Sequence, residues 1–244
     1  MEFTKGEWNG YERLDLSLDG RDTIVILPKE REKDNRWLLK TEYFGAFPEF
    51  ELDMLSRGWA VAHIKNKTRW CLPEDTDAKE ALCAFMEGEL GFASKCLPVG
   101  MSCGGMQAVY FAAKYPHRVS ALYLDAPVLN LLSCPCGVGV NRGHVDHLYA
   151  EFVTMTGRTV TDLINYREHP IDFVRCLIAS GIPAYLVCGG ADMTVPYEEN
   201  GALLAKWYQE SDVPFFETVK PACGHHPHGL TDRAPLIAFA ERYG

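Results

Sequence analysis

From Pro48 to the end of the chain, short apolar runs alternate with stretches of helical period. No other feature of the sequence limits the fold as strongly. Trp59 to Ile64, Cys96 to Val99, Ala121 to Leu124, Ala184 to Cys188 and Phe215 to Val219 are brief and apolar, and they read as buried strands. Pro48 to Arg57, Asp75 to Leu90, Gly105 to Tyr115, Glu198 to Glu210 and Ala234 to Arg242 read as helices. In the second of these, Ala78, Ala81, Leu82, Phe85 and Met86 share one face, and Gly58 stands where the first helix needs a C′ residue. Strands separated by helices pair in parallel, with helices covering both faces of the sheet.

The N-terminal part follows a different period. Leu14, Leu16 and Leu18 alternate with Arg13, Asp15 and Ser17, the pattern of a half-buried strand. Asp19-Gly20 signals a hairpin into Thr23 to Leu27, and Arg36 to Thr41 offers a third strand. The expectation is an α/β fold: a mostly parallel sheet with an antiparallel N-terminal edge. Residues 129–182 contain no strand signal and are too long for a simple connection. They are expected to form a helical insert after the sixth strand, a lid over one domain spanning residues 1–244. At 244 residues, 47% of them hydrophobic, the chain can fill such a core.

The net charge of -9 argues against nucleic acid as a partner, because phosphate contacts need clustered Lys and Arg. Arg31, Lys33, Arg36 and Lys40 are interleaved with acids and read as a solvated loop. No apolar run approaches the ~20 residues that span a bilayer. Residues 1–7 have no apolar leader, and several of the nine cysteines sit in apolar segments; reduced thiols and a cytoplasmic location are expected.

Gly100-Met101-Ser102-Cys103-Gly104-Gly105 lies directly between a predicted strand and a predicted helix. A serine on so sharp a turn needs small neighbours, and the helix behind it points its amides at the hydroxyl. Ser102 is therefore the candidate nucleophile, and the Cys103 N–H is a candidate donor to a developing oxyanion. A serine needs a base, and the base needs an orienting acid. Downstream, Gly189-Gly190-Ala191-Asp192 follows a strand, at the sheet edge that also carries the serine. Asp192 is the favoured acid and Asp125, at the end of the preceding strand, the competitor. The base comes from Cys223-Gly224-His225-His226-Pro227-His228. Its position after the glycine favours His225, with His226 as the alternative; His228 suits a structural or substrate role. The second oxyanion donor is expected in Glu42-Tyr43-Phe44-Gly45, as the backbone N–H of Tyr43 or Phe44.

The histidines also invite a metal reading, with Cys223, Cys134, Cys136, His144 and His147 as further ligands. Adjacent histidines in a Gly/Pro loop lack the facing geometry of a helical zinc site, and Cys134-Pro135-Cys136 is spaced too closely. No metal and no cofactor is expected.

With these residues in view, the sequence resembles the α/β-hydrolase superfamily over nearly its whole length. More narrowly, it resembles small bacterial esterase-like hydrolases, some associated with carbohydrate breakdown. The resemblance is carried by Glu42 to Phe47, the Ser102 turn, Ala112 to Pro116, Asp125 to Val128, Val195 to Asn200 and His225 to Leu230. It implies a Ser102–Asp192–His225 triad, a small acyl ester as substrate, and a homodimer, since many relatives are dimers. Two positions depart from the pattern. Cys103 replaces a residue that is often large or charged, and Cys134-Pro135-Cys136-Gly137 stands where a Trp often precedes the Pro.

The expected chemistry is ester hydrolysis through an acyl-enzyme. Peptidases and thioesterases use the same residues. A non-catalytic binding protein on this fold would be expected to lack one member of the triad, and a metal hydrolase would lose activity with chelator.

Overall fold

The computed structural model describes residues 3–244. Its strands are β1 (Thr4–Trp8), β2 (Tyr11–Leu18), β3 (Arg21–Leu27), β4 (Trp37–Lys40), β5 (Ala60–Ile64), β6 (Leu97–Met101), β7 (Leu122–Asp125), β8 (Ala184–Gly189) and β9 (Phe215–Lys220). The helices are α1 (Glu49–Ser56), α2 (Pro73–Gly88), α3 (Cys103–Lys114), α4 (Asp146–Thr156), α5 (Val160–Ile164), α6 (Val174–Ala179), α7 (Gly201–Gln209) and α8 (Ala234–Tyr243). All nine strands join one sheet in the order β1-β2-β3-β5-β4-β6-β7-β8-β9. The first three pairings, β1 with β2, β2 with β3 and β3 with β5, are antiparallel. The pairings from β5 across to β9 are parallel.

Burial follows the sequence pattern. Every residue of β4 through β8 is buried, as a parallel sheet covered on both faces requires. In β2 only Leu14, Leu16 and Leu18 are buried, so its other side stays open. One face of the sheet packs Leu82, Phe85 and Met86 of α2, Phe111 and Ala112 of α3, and Leu204 and Tyr208 of α7. The opposite face packs Phe50, Met54 and Leu55 of α1 against Leu236, Phe239 and Ala240 of α8. A third cluster, with Trp70, Met106, Val128, Leu131, Phe152 and Leu163, lies beneath the insert.

The turns form where local chemistry demands them. Asp19 and Gly20 both take positive φ (51° and 77°), which lets a two-residue turn follow the strand twist. Helix α2 begins two residues before its expected start. Pro73 is its first residue, and the Asp75 carboxylate accepts the Leu72 N–H at 3.0 Å.

Two expectations need correction. Lys40 is not a solvated cation: it ends the buried strand β4 and pairs with the buried Glu51 carboxylate. The insert follows the seventh strand, not the sixth, because β1 precedes the strands read from the sequence. Its residues Thr4 to Glu7 are exposed and polar, so β1 carries no apolar alternation; only the Asn9-Gly10 turn behind it, with φ of 51° and 81°, marks it. Between β7 and β8 the chain contains α4, α5, a short 3-10 turn (Pro170–Phe173) and α6, with no strand. The Asn200 side-chain oxygen ties this segment down, accepting the N–H groups of Leu129 and Asn130 at 2.9 Å each.

Candidate active site

Strand β6 runs straight into the turn at Ser102, which holds φ 53° and ψ -120° just before α3. This strained conformation is imposed by close packing on either side. A Cβ on Gly100 would lie 2.6 Å from the Gly104 carbonyl oxygen, and one on Gly105 would lie 2.4 Å from the Pro127 Cβ. The turn is also stitched to β7, since the Ser102 N–H donates to the Asp125 carbonyl and the Ser102 carbonyl accepts the Val128 N–H, at 2.9 and 3.0 Å. The Cys103 and Gly104 amides open the first turn of α3, the positive end of its dipole.

Asp192 stands three residues past β8, and His225 five residues past β9. Glycine lets these two loops touch, because a Cβ on Gly189 would sit 2.2 Å from the Gly224 carbonyl oxygen. The Ala191 N–H donates to the Cys223 carbonyl at 2.9 Å and closes the contact. The result is a continuous relay: His225 Nε2 is 3.0 Å from Ser102 Oγ, and His225 Nδ1 is 2.7 Å from Asp192 Oδ2. The Asp192 side chain is fully buried, and its other oxygen accepts the N–H groups of Thr194 and Val195 at 2.8 and 2.9 Å. Its orientation is thus fixed by two backbone bonds on the far side from the histidine.

The other sequence candidates fall elsewhere. Asp125 is bonded to a different histidine; it accepts His228 Nδ1 and the Gly229 N–H, each at 2.7 Å, and the Tyr123 hydroxyl at 3.0 Å. His226 is exposed and its ring stacks on Phe47, with centroids 5.7 Å apart. Phe44 packs between Trp8 and His63 and borders a different surface hollow. Tyr43 does reach the site. It holds φ 54°, and its N–H makes a long 3.4 Å bond to the Glu42 carboxylate.

Ser102, Cys103, His225, His226 and His228 line a cavity of about 380 Å³, closed by Tyr43, Phe47, Arg69, and by Cys134, His147 and Leu148 of the insert. Burial pushes the Cys103 thiol up to about 11, against the opposing pull of Tyr43 and Arg69, so the thiol is neutral at physiological pH. Burial likewise raises the Tyr43 hydroxyl, which lies beside the Cys103 thiol and the Arg69 guanidinium.

Arg69 was not foreseen from the sequence. It sits in the loop between β5 and α2, where no periodicity marks it. Its guanidinium engages the Glu151 carboxylate of α4 in a two-point pair, and this pair holds its charge at the cavity wall. The Asp192 bonds to Thr194 and Val195 had a sequence signal, an Asp two residues before a Thr in a turn.

The same architecture recurs in solved proteins. The chain superposes on dipeptidyl peptidase 4 of Porphyromonas gingivalis with a TM-score of 0.68, at 15% identity over 97% of this chain and 35% of that one. Against acetyl xylan esterase 1 from Thermoanaerobacterium sp. JW/SL YS485 the TM-score is 0.66, at 16% identity, covering 99% of this chain and 86% of the esterase. Against the acylaminoacyl peptidase of Pyrococcus horikoshii it is 0.68, at 15% identity, covering 99% and 42%. The chain thus spans about a third to two fifths of the two peptidases and most of the esterase. No family model and no curated protein sequence matches the chain. The sheet order, the strand-end site and these superpositions define the α/β-hydrolase fold.

Proposed function

We propose that this protein is a serine hydrolase, an esterase that cleaves a small acyl ester through an acyl-enzyme. The observation that carries this reading is the unbroken chain from Ser102 Oγ through His225 to buried Asp192, opening on a cavity of about 380 Å³. His225 Nε2 takes the Ser102 proton as Oγ attacks the ester carbonyl. The Asp192 carboxylate holds the imidazole in the required tautomer and offsets its positive charge. The Cys103 N–H, at the start of α3, and the Tyr43 N–H receive the oxyanion. Tyr43 must release its long bond to Glu42 to do so. His225 then protonates the leaving alcohol, and water resolves the acyl-enzyme by the same route.

The cavity's size favours a short acyl chain. A sugar as the alcohol is supported by the likeness to acetyl xylan esterases, and amide cleavage by the likeness to the peptidases. Residues 129–182 act as the lid, since Cys134, His147 and Leu148 close the cavity. The nine thiols are unpaired, which fits a reducing compartment such as the cytoplasm. No described helix is long and apolar enough to cross a membrane.

The test is labelling with a fluorophosphonate probe, with the adduct located by mass spectrometry. Labelling at Ser102 that survives chelator and vanishes in Ser102→Ala supports the reading. Folded protein that stays unlabelled in chelator refutes it. A series of p-nitrophenyl esters from acetate to octanoate then reads the acyl preference, with acetate or propionate expected to lead.

A further inference from the structure

Three imidazoles meet at the rim of the cavity, and ester hydrolysis uses only one of them. The ring centroids of His225, His226 and His228 are separated by 4.9, 5.0 and 4.9 Å, and one ligand nitrogen from each lies within 4.8 Å of the others. Two of the rings are already set in a metal-binding form. His225 Nδ1 is held by Asp192 and His228 Nδ1 by Asp125, at 2.7 Å in both cases. An imidazole whose Nδ1–H is held by a carboxylate presents its lone pair on Nε2, and the carboxylate makes that lone pair more basic. The Asp192 and Asp125 side chains are buried, so two negative charges stand directly behind the ligands and offset a divalent cation. The third ring, His226, is exposed, stacks on Phe47 and packs edge-on against the other two rings. In a tetrahedral zinc site the nitrogens stand about 3.4 Å apart, and one nitrogen of each ring already lies within 4.8 Å of the others.

We propose that His225, His226 and His228 bind one divalent transition-metal ion, zinc by the chemistry of three neutral imidazoles, and that the bound ion switches the serine off. The fourth position, facing the cavity, takes water. The ion accepts the His225 Nε2 lone pair, the same pair that faces Ser102 Oγ at 3.0 Å. With that pair committed, Ser102 has no base. The switching half of the proposal rests on the hydrolase reading above; the binding half does not. A helical spacing rule misses this site because a turn, rather than a helix, brings the rings together.

The test uses the full chain in two arms. Equilibrium dialysis with zinc, and the visible absorption of the cobalt-loaded protein, are measured on wild type, His226→Ala and Cys223→Ser. Expected are one ion per wild-type chain, the same for Cys223→Ser, and an affinity at least tenfold weaker for His226→Ala. Absence of bound metal, or equal affinity in His226→Ala, overturns the site. In the second arm, fluorophosphonate labelling of Ser102 is timed in chelator and in saturating zinc. Labelling at least tenfold slower with zinc, restored by chelator, is expected; an equal or faster rate overturns the switch. If Ser102 stays unlabelled even in chelator, the hydrolase reading fails, while the dialysis arm still decides the metal site.

Discussion

Asp125 and Asp192 leave the ends of adjacent strands, β7 and β8, and each holds a different histidine of one short loop: Asp125 takes His228 and Asp192 takes His225. Both bonds are 2.7 Å and both carboxylates are buried, yet only one of the pairs continues to a serine hydroxyl, that of Ser102.

The two aspartates should therefore fail differently. Asp192→Asn preserves the packing but favours the wrong tautomer of His225, and kcat for ester hydrolysis is expected to fall by roughly 10⁴. Asp125→Ala strands the His228 Nδ1, the Gly229 N–H and the Tyr123 hydroxyl, and is expected to cost about 3 kcal/mol of stability. Steady-state kinetics and urea unfolding separate the two. A larger kcat loss in folded Asp125→Ala than in Asp192→Asn would reverse the assignment of the acid.

The Ser102 turn has no room for a methyl group at position 105. In Gly105→Ala the new Cβ would meet the Pro127 Cβ at 2.4 Å and its Cα at 2.7 Å. Overpacking of that kind costs about 2 kcal/mol. The displacement also moves the α3 amides, so probe labelling of Ser102 should slow along with the loss of stability. Gly91→Ala, in open space at a positive φ of 68°, is the control that costs backbone strain without touching the site.

Acid should weaken the fold through His63. This ring is buried beneath Phe44 with Nδ1 2.8 Å from the Lys40 carbonyl, and burial lowers its pKa from 6.5 to about 4, with the Lys79 and Lys40 charges adding to the effect. The unfolded chain thus takes up the proton near pH 6.5 and the folded chain only near pH 4. Stability is intact above 6.5 and falls as the pH drops through that interval, by up to about 3 kcal/mol from this group. Urea midpoints at pH 7, 6 and 5 should show a shallower decline in His63→Gln than in wild type.

Thiol reactivity provides a map of burial. Cys176 is exposed, whereas Cys103 is 3% exposed and its thiol is raised to about 11. Iodoacetamide at pH 8, followed by peptide mass mapping, should modify Cys176 first and Cys103 only after unfolding. Modification of Cys103 ahead of Cys176 in folded protein would mean that the cavity opens far wider than its walls suggest.

The parallel half of the sheet was readable because its strands are buried on both faces and its helices carry single apolar stripes. The serine turn was readable because glycine is required on both sides of a serine held at positive φ. By contrast, β1 is polar and escaped periodicity, although Asn9-Gly10 is a strong turn signal. Arg69 and the carboxylates behind His225 and His228 depend on chain segments that are far apart in sequence. Asp125 and His228 are 103 positions apart, and only the parallel order of β7, β8 and β9 brings them together. The choice between Asp125 and Asp192 turned on loop geometry, which residue types alone leave open.

Strand β1 adds little to the core, with four of its five residues exposed, yet it pairs along the outer edge of β2. Without it, the backbone N–H and C=O groups of β2 would face water beside the leucine row Leu14, Leu16 and Leu18. Such an uncovered ribbon recruits strands from other molecules. The charged pair Lys5–Glu12 and the short length of β1 make a poor template in its place. The first hairpin thus acts as a guard against self-association, and deleting residues 3–10 would be felt first in colloidal behaviour at high concentration rather than in turnover.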